Sequence, residues 1–423
     1  MIPADTRVRA VIVNHNGGDL IGRAIDSIRS SDWPGAVDIV VIDNASTDGS
    51  QDWLRERDGI RFISNPTNDG FSASNKGFAD VIDRPMPEEI ADLSHPDAVL
   101  LLNPDAALRN DTLMLLAARL DPHDRIGAAA PHIVFDRPFV ELSMDHTGPI
   151  VKSVLAETRD GRIDVTAGCH ATPPGFRVPG EANLIWRQVE PGLLRVPVPD
   201  GTEAVVAVDL DGAEGRIPVV AESLRTIVQN AGSALGENGV GQNRGYGLVD
   251  GSAELGANVP LWCGAAALLS ADMLSDVGGF DPEYFLYYED TDLALRGLAR
   301  GWSTHYVADA VVAHRHSHRT TQGSRLVEIL QHRNRLLTLV RHAPIGAVVG
   351  AFARAGVTIL SLLTPRPNER SELWRARRRL GGWRARSLID AVTGAPGAWG
   401  ARRAIDDERT VDRKQVIEAA TNN

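Results

Sequence analysis

The chain has 423 residues, 43% of them hydrophobic, which is enough for a large core organised as one domain with appendages or as two domains. Its formal net charge of -11 argues against nucleic-acid binding by the whole surface and leaves only local basic patches for anions. With Cys169 and Cys263 as its two cysteines, the chain has no disulfide framework, and a reducing, cytosolic setting is expected.

In chain order, residues 1–10 are polar and charged, and the apolar run after them is too short for a signal-peptide core, so it reads as a first strand. Residues 8–13 and 38–43 are β-branched runs, separated by a helical face of Leu20, Ile21, Ala24, Ile25 and Ile28. An amphipathic stretch at 52–56, a strand at 61–64, a helix at 72–81 and a strand at 98–102 follow. Such alternation predicts an α/β fold with a mainly parallel, Rossmann-like sheet that takes ligands at the carboxyl ends of its strands. Asn14, His15 and Asn16, then Asp43 and Asn44, then Asn103 to Asp105 fall at those ends.

Residues 136–256 are richer in Pro and Gly, and the alternating runs at 194–198 and 204–210 predict antiparallel strands in a β-rich insertion. Residues 232–256 read as a long irregular connection of the kind used for binding loops and lids. Regular pattern returns at 259–270 and in a helix at 290–300, and the chain after His342 is helical with a polar tail. The expected division is 1–135, the first half of the sheet domain; 136–256, the insertion; 257–342, its second half; and 343–423, a basic helical extension.

Several clusters carry chemistry. Asp43 can accept from a nucleobase N–H or a ribose hydroxyl, or can head an Asx-turn with its neighbours. Asn68 and Asn75 flank a helix start that favours a diphosphate, or they belong to a capped loop. Asp105 can ligate Mg²⁺ or Mn²⁺ in a shell completed by diphosphate oxygens and water. Neutral Asn103 offers at most a carbonyl oxygen. Three carboxylates crowd residues 289–292. Among them Asp290 is the candidate general base for an acceptor hydroxyl, with Glu289 and Asp292 in support; an acidic first helical turn is the plainer alternative.

His314, His316 and His318 alternate after a strand at 310–313, and one imidazole can complete a metal shell opposite Asp105. Trp262 and Gly264 can meet an acceptor through an aromatic face and an open backbone, although a lone Trp also suits a core. The apolar segment 344–363, interrupted by Arg354, reads as a buried or interfacial helix. Arg366, Arg370, Arg375, Arg377, Arg378, Arg379, Arg384 and Arg386, with Trp374 and Trp383, follow it and suit peripheral contact with an anionic membrane.

As an ordered set, these segments resemble the family 2 inverting glycosyltransferases of the GT-A fold, particularly bacterial rhamnosyltransferase-like members. The matching elements are Asn14 to Asn16, Val41 to Ser50, Asn68 to Phe71 with Asn75 and Gly77, Asn103-Pro104-Asp105, Val277 to Asp281, Tyr287 to Leu293, Gly301-Trp302, His314 and Arg333-Asn334. The resemblance implies that Asn14, His15, Asn16, Asp43, Asn44, Asn68, Asn75 and Asn103 face a nucleoside-diphosphate sugar. It likewise implies that Asp105 and His314 (with His316 as fallback) hold a divalent metal, and that Asp290 is the base. The implied acceptor is a lipid-linked or cell-envelope saccharide on the cytosolic face of a membrane. Asn103 stands where the family motif has its first acid. The Gln-X-X-Arg-Trp motif and multiple spans of processive synthases are missing, which favours single addition.

Two other readings fit the sequence. A nucleotidyltransferase would share the βαβ nucleotide site but needs a Gly-rich phosphate loop that 11–18 lacks. A noncatalytic saccharide-binding or scaffold protein would bind donor without turning it over.

Overall fold

The computed structural model describes residues 6–144, 150–151, 153–172, 176–179, 184–187, 192–210, 213–315, 324–366 and 371–421. Within it a ten-stranded mixed sheet organises the core. Its strands are β1 (Val8–Asn14), β2 (Val37–Asn44), β3 (Arg61–Asn65), β4 (Ala98–Leu102), β5 (Ala106–Leu108), β6 (Ile126–Phe135), β7 (Val228–Asn230), β8 (Asn258–Val259), β9 (Ala266–Ser270) and β10 (Ser303–His314). The order across the sheet is β8-β10-β6-β9-β4-β1-β2-β3, with β7 added to β6 and β5 to β10.

Strands β4, β1, β2 and β3 are mutually parallel, as the βαβ pattern requires. Beyond β4 the antiparallel β9 intervenes, and β6 and β10 then run parallel to each other. Two reversals restore the direction, so β10 ends at the same edge as β4.

The apolar runs of the central strands are continuous because both sheet faces are covered. Side-chain alternation divides them: Val11, Val40, Ile42, Val99 and Leu101 enter one core, while Ala10, Ile12, Val41, Leu100 and Leu102 enter the other. The second core is closed by α1 (Leu20–Arg29), whose buried residues are Ile21, Ala24, Ile25 and Ile28. It is followed along the chain by α2 (Ser50–Arg55), α3 (Thr112–Ala117), α4 (Ala271–Val277) and α5 (Glu289–Ala299).

The helix predicted at 72–81 is instead a 3₁₀ helix at Gly70–Phe78. It lies so close to the sheet that a Cβ on Gly77 would come within 2.8 Å of both methyls of Val11. From this element Asn75 reaches the other half of the chain: Nδ2 donates to Phe280 O at 2.7 Å, and Oδ1 accepts from Phe280 N at 2.8 Å.

After β6, the described part of the insertion builds its own antiparallel sheets. One has four strands, including Ser153–Thr158 and Thr202–Leu210, and another sets Phe139–Met144 against Gly192–Pro197. Val140, Leu142, Val154, Leu194, Val196 and Val205 form a separate small core there. The expected irregular connection at 232–256 is more ordered than its glycine content suggests. It forms a hairpin of Ser233–Leu235 with Gly241–Asn243, and Arg244 donates to the carbonyls of Ala231 and Gly256 at 2.8 and 2.7 Å.

The C-terminal region is helical: α6 (Arg325–His342), α7 (Ile345–Leu363), α8 (Ser371–Glu408) and α9 (Arg413–Thr421). By length and composition, α7 is the one helix among the described residues able to cross a membrane. It packs through Val348 and Ala351 against Ala391 of α8, yet leaves Val349, Val357 and Leu360 about two-thirds exposed.

Substituting Asn75→Ala leaves the buried Phe280 N–H and C=O without their side-chain partners. The expected cost is about 2–4 kcal/mol of unfolding free energy, read from urea denaturation. A loss below 0.5 kcal/mol, within the range of a neutral surface change, would show that the clamp is not structural.

Candidate active site

The first loop is built around a buried carboxylate. Asp43, wholly buried at the end of β2, accepts from Asn14 Nδ2 at 2.7 Å and Ser46 Oγ at 2.5 Å through Oδ1, and from Ser46 N at 3.0 Å through Oδ2. Asn14 Nδ2 also lies 3.0 Å from Ser46 Oγ and 2.9 Å from Ser50 Oγ. In this arrangement Asp43 and Asn14 fasten the β1 and β2 loops together, and neither presents an open edge to a base. Asn16, at φ 57°, is held by Ser46 Oγ on its N–H and by Thr47 N on its Oδ1. His15 is exposed at the loop rim, with Nδ1 2.8 Å from Asn44 O.

Asn44 carries the chain of contacts onward. Its Nδ2 donates to Gly70 O at 2.9 Å, and its Oδ1 accepts from Asn65 Nδ2 at 2.7 Å. Asn68 is exposed and accepts from Gly70 N at 3.0 Å in an Asx-turn. The amide of Asn75 is committed to Phe280, so the expected donor contact there is replaced by a brace between the two halves of the site.

Asp105 and His314, 209 residues apart, come together. His314 ends β10, where it is paired with Ala106 of β5. Its Nε2 lies 3.0 Å from Asp105 Oδ1 and 3.4 Å from Asn103 Nδ2, while Arg315 N donates to Asp105 O at 2.9 Å. Sequence reasoning missed Gln229, whose Oε1 lies 2.8 Å from His314 Nδ1. A lone Gln in a three-residue strand carries no sequence signal. His316, His318 and Arg370 lie outside the described residues.

One carboxylate, one imidazole and one amide suit a divalent cation that takes its remaining ligands from diphosphate and water. Among the described residues no group of three or more His, Cys, Asp and Glu forms a self-sufficient metal cage.

The acidic run divides three ways. Asp290 Oδ2 accepts from Gly264 N at 2.9 Å, and Oδ1 accepts from Thr291 N at 2.6 Å. Burial pushes its carboxyl above the ordinary aspartate value despite these bonds. Glu289 is 6% exposed, and burial beside Asp290 raises its carboxyl well above the glutamate range.

Asp292 requires a correction, because it is wholly buried and its carboxylate is taken up by neighbouring side chains. It lies 3.0 Å from Arg296 Nε, 2.9 Å from His342 Nε2, 3.2 Å from Tyr284 Oη and 3.4 Å from Arg341. Burial alone would raise its carboxyl, but Arg296, His342 and Arg341 hold it well below the usual range. Its role is to fasten α5 to α6.

Trp262 also departs from expectation. At 1% exposure it packs edge-on against Phe280, with ring centroids 6.3 Å apart, and so belongs to the core rather than to an open stacking surface. Gly264 does approach Asp290, since its N–H donates to that carboxylate, and the next residue, Ala265, accepts from Asn103 N at 2.9 Å. Asp290 and the segment that carries Asn103 and Asp105 are therefore joined through two consecutive residues. Burial pushes the Cys263 thiol up to about 12, consistent with no nucleophilic role.

The turn before Asp290 is strained. Phe285, Tyr287 and Tyr288 have φ of 58°, 68° and 70°. Asn334 holds it from α6, its Nδ2 2.8, 2.9 and 2.8 Å from the carbonyls of Tyr284, Leu286 and Tyr287. From the other side Phe71 N donates to Phe285 O at 2.8 Å, and Gly70, at φ 67°, passes so close to that carbonyl that no Cβ fits. Tyr288 Oη donates to Gly239 O at 3.1 Å and accepts from Gly241 N at 3.0 Å, joining the turn to the glycine-rich hairpin.

Residues 10–165 match the family model described as glycosyl transferase family 2. Over 57 residues the chain is 42% identical to the N-acetylglucosaminyl-diphospho-decaprenol L-rhamnosyltransferase of Mycobacterium tuberculosis, with the same figures for strains CDC 1551 and H37Rv. That match covers 14% of this chain and 19% of the relative, so the chain spans about a fifth of the curated relative's length. Similar solved structures include mannosyltransferase PcManGT from Pyrobaculum calidifontis in complex with GDP-Man and Mn²⁺, at 14% identity and TM-score 0.41, covering 92% of this chain and 87% of that one. GalNAc-T7 with UDP, GalNAc and Mn²⁺ is similar at 12% identity and TM-score 0.44, covering 92% and 57%. S. aureus TarS is similar at 12% identity and TM-score 0.35, covering 92% and 55%. The family match over residues 10–165 agrees with the resemblance drawn from the motifs, and the mixed sheet with flanking helices agrees with the α/β expectation.

Replacing Asp292→Asn removes the charge that Arg341, Arg296 and His342 share. The expected destabilisation is roughly 3 kcal/mol at neutral pH, measured by chemical denaturation. Because the folded-state pKa is depressed, this contribution is present above the ordinary carboxylate value and shrinks only as pH falls toward the folded one. An unchanged midpoint would remove Asp292 from the structural role assigned to it.

Proposed function

We propose that the protein is an inverting, single-addition glycosyltransferase that moves a sugar, rhamnose in the favoured reading, from a nucleoside-diphosphate donor to a hydroxyl of a lipid-linked saccharide. The observation that carries this reading is the joining of two centres: Asp105 with His314, and Asp290 held by Gly264, through the adjacent backbone of Gly264 and Ala265. The 57-residue likeness to a rhamnosyltransferase supports the choice of sugar and acceptor class.

Asp290 takes the acceptor proton as the hydroxyl attacks the anomeric carbon from the face opposite the leaving diphosphate. The bonds from Gly264 and Thr291 fix its orientation, and its raised proton affinity suits a base. Asp105 and His314, with Asn103 beside them, would hold Mg²⁺ or Mn²⁺, which when bound acts as a Lewis acid toward the leaving diphosphate. The β1 and β2 loops, fastened by Asp43 and Asn14, shape the donor pocket, with His15, Asn16 and Asn68 at its rim.

Asp290→Asn is expected to bind nucleoside diphosphate with unchanged affinity by calorimetry while losing roughly 10²- to 10⁴-fold in turnover. In the parent protein, the rate should rise with pH along a limb that lies above the ordinary aspartate pKa of about 3.9, because burial disfavours the ionised base. Near-parental turnover in the variant would overturn the assignment. Release of pyrophosphate from a nucleoside triphosphate would point instead to nucleotidyl transfer.

The acceptor reading includes an anionic membrane surface. Ile345, Val349, Val357, Leu360 and Leu363 are exposed along one face of α7, and Arg375, Arg378 and Arg386 are exposed on α8. Arg377 does not belong to this surface, since it is 2% exposed and donates to the carbonyls of Ser361 and Thr364 at the end of α7. The protein is expected to float with phosphatidylglycerol vesicles and not with phosphatidylcholine vesicles. Each exposed Arg removed should weaken binding roughly fivefold, and Val349→Ser with Val357→Ser and Leu360→Ser should abolish it. Failure to float, or self-association that buries α7, would overturn the membrane reading.

A further inference from the structure

Gln229 bears on His314 from the side opposite Asp105. It is 2% exposed, and its Oε1 lies 2.8 Å from His314 Nδ1. An amide oxygen only accepts, so this contact places a proton on Nδ1. A neutral ring then keeps its lone pair on Nε2, the nitrogen approached by Asn103 Nδ2 at 3.4 Å and Asp105 Oδ1 at 3.0 Å. Nε2 and the Asp105 carboxylate, both acceptors, face each other in that state, and a cation between them relieves the repulsion.

The backbone around Gln229 is arranged to aim it. On β7, Val228 pairs with Val134 and Asn230 with Ile133, so the register shifts and Gln229 is the extra residue of a β-bulge. Bulges redirect a side chain out of the regular alternation.

We propose that Gln229 is a positioning residue that fixes His314 as the Nδ1–H tautomer and thereby turns Nε2 toward the divalent-cation position beside Asp105. This rests on the reading of Asp105 and His314 given under the proposed function. A hydrogen-bond acceptor on the far nitrogen of a metal-binding imidazole sets both ring orientation and ligand basicity. Here that acceptor comes from the strand through which the chain returns from the β-rich insertion, so the seating of β7 governs the donor geometry at His314.

The test uses the full chain with ¹⁵N-labelled histidine, the His314 signals being identified by their loss in His314→Gln. At a pH where the ring is neutral, the metal-free parent should show a protonated Nδ1 and a bare Nε2, and Gln229→Leu should shift the proton toward Nε2. Mn²⁺ titrated in the presence of thymidine diphosphate and followed by electron paramagnetic resonance should bind roughly 10- to 100-fold more weakly to Gln229→Leu. Gln229→Glu, which keeps an acceptor at the same place, should retain parental affinity within a few fold. A parent ring protonated on Nε2, or equal Mn²⁺ affinity in Gln229→Leu, overturns the positioning role. Absence of Mn²⁺ binding to the parent overturns the metal reading of the pair, while the tautomer signal still decides what Gln229 does. Should Gln229→Leu fail to fold, the parent spectrum and Gln229→Glu decide the matter.

Discussion

The antiparallel pairing of β5 with β10 is the constraint on which the site depends. Strand β4 delivers Asn103 to Asp105 to the carboxyl edge of the sheet, and the short β5 that follows lies against the end of β10, with Ala106 opposite His314. The bond from Arg315 N to Asp105 O extends that pairing by one residue. An aspartate and a histidine 209 residues apart are thereby set 3.0 Å apart by backbone hydrogen bonds rather than by side-chain reach. Because the register of a β pairing is specified residue by residue, slippage by one position would turn His314 to the opposite face.

The second centre depends on a strained turn held from three directions. Left-handed φ at three non-glycine residues costs of order 1–3 kcal/mol each and persists only where the surroundings over-determine it. Asn334 from α6, Gly70 and Phe71 from the 3₁₀ helix, and the hairpin carbonyl at Gly239 supply that surrounding. The turn sets the start of α5, and helical geometry then separates the acidic run. Asp290 meets the Gly264 backbone, Glu289 is enclosed, and Asp292 points into the cluster of Arg296, Arg341, His342 and Tyr284. Three carboxylates within four residues therefore have three different environments. Two have raised and one has depressed proton affinity.

The C-terminal arginines show the same divergence of roles among residues of one type. Arg377 satisfies carbonyls at the end of α7, and Arg384 pairs with Glu328 at 3.0 Å. Arg386 pairs with Asp390 one turn away, and Arg402 donates to the carbonyls of Val340 and Ala343. Arg377, Arg384 and Arg402 thus hold the helices together, while Arg386, paired within α8, stays at the surface.

Much of the parallel half of the sheet was legible in the chain itself. Local β-branched runs and a 3.6-residue apolar face are properties of consecutive residues, so β1, α1, β2, β3 and β4 fall where their patterns predict, and polar residues after apolar runs mark the ligand edge. The convergence of Asp105 and His314 was not contained in spacing. It follows from two reversals of strand direction and one long-range register. Nor did spacing reveal that Asp292, Trp262 and Asn75 are enclosed, because burial is decided by what packs against a residue from distant parts of the chain. Sequence determined which side chains lie at the carboxyl ends of strands, since that is local backbone propensity. Tertiary structure alone decided which of them meet, which are enclosed, and that a bulged glutamine stands behind the histidine.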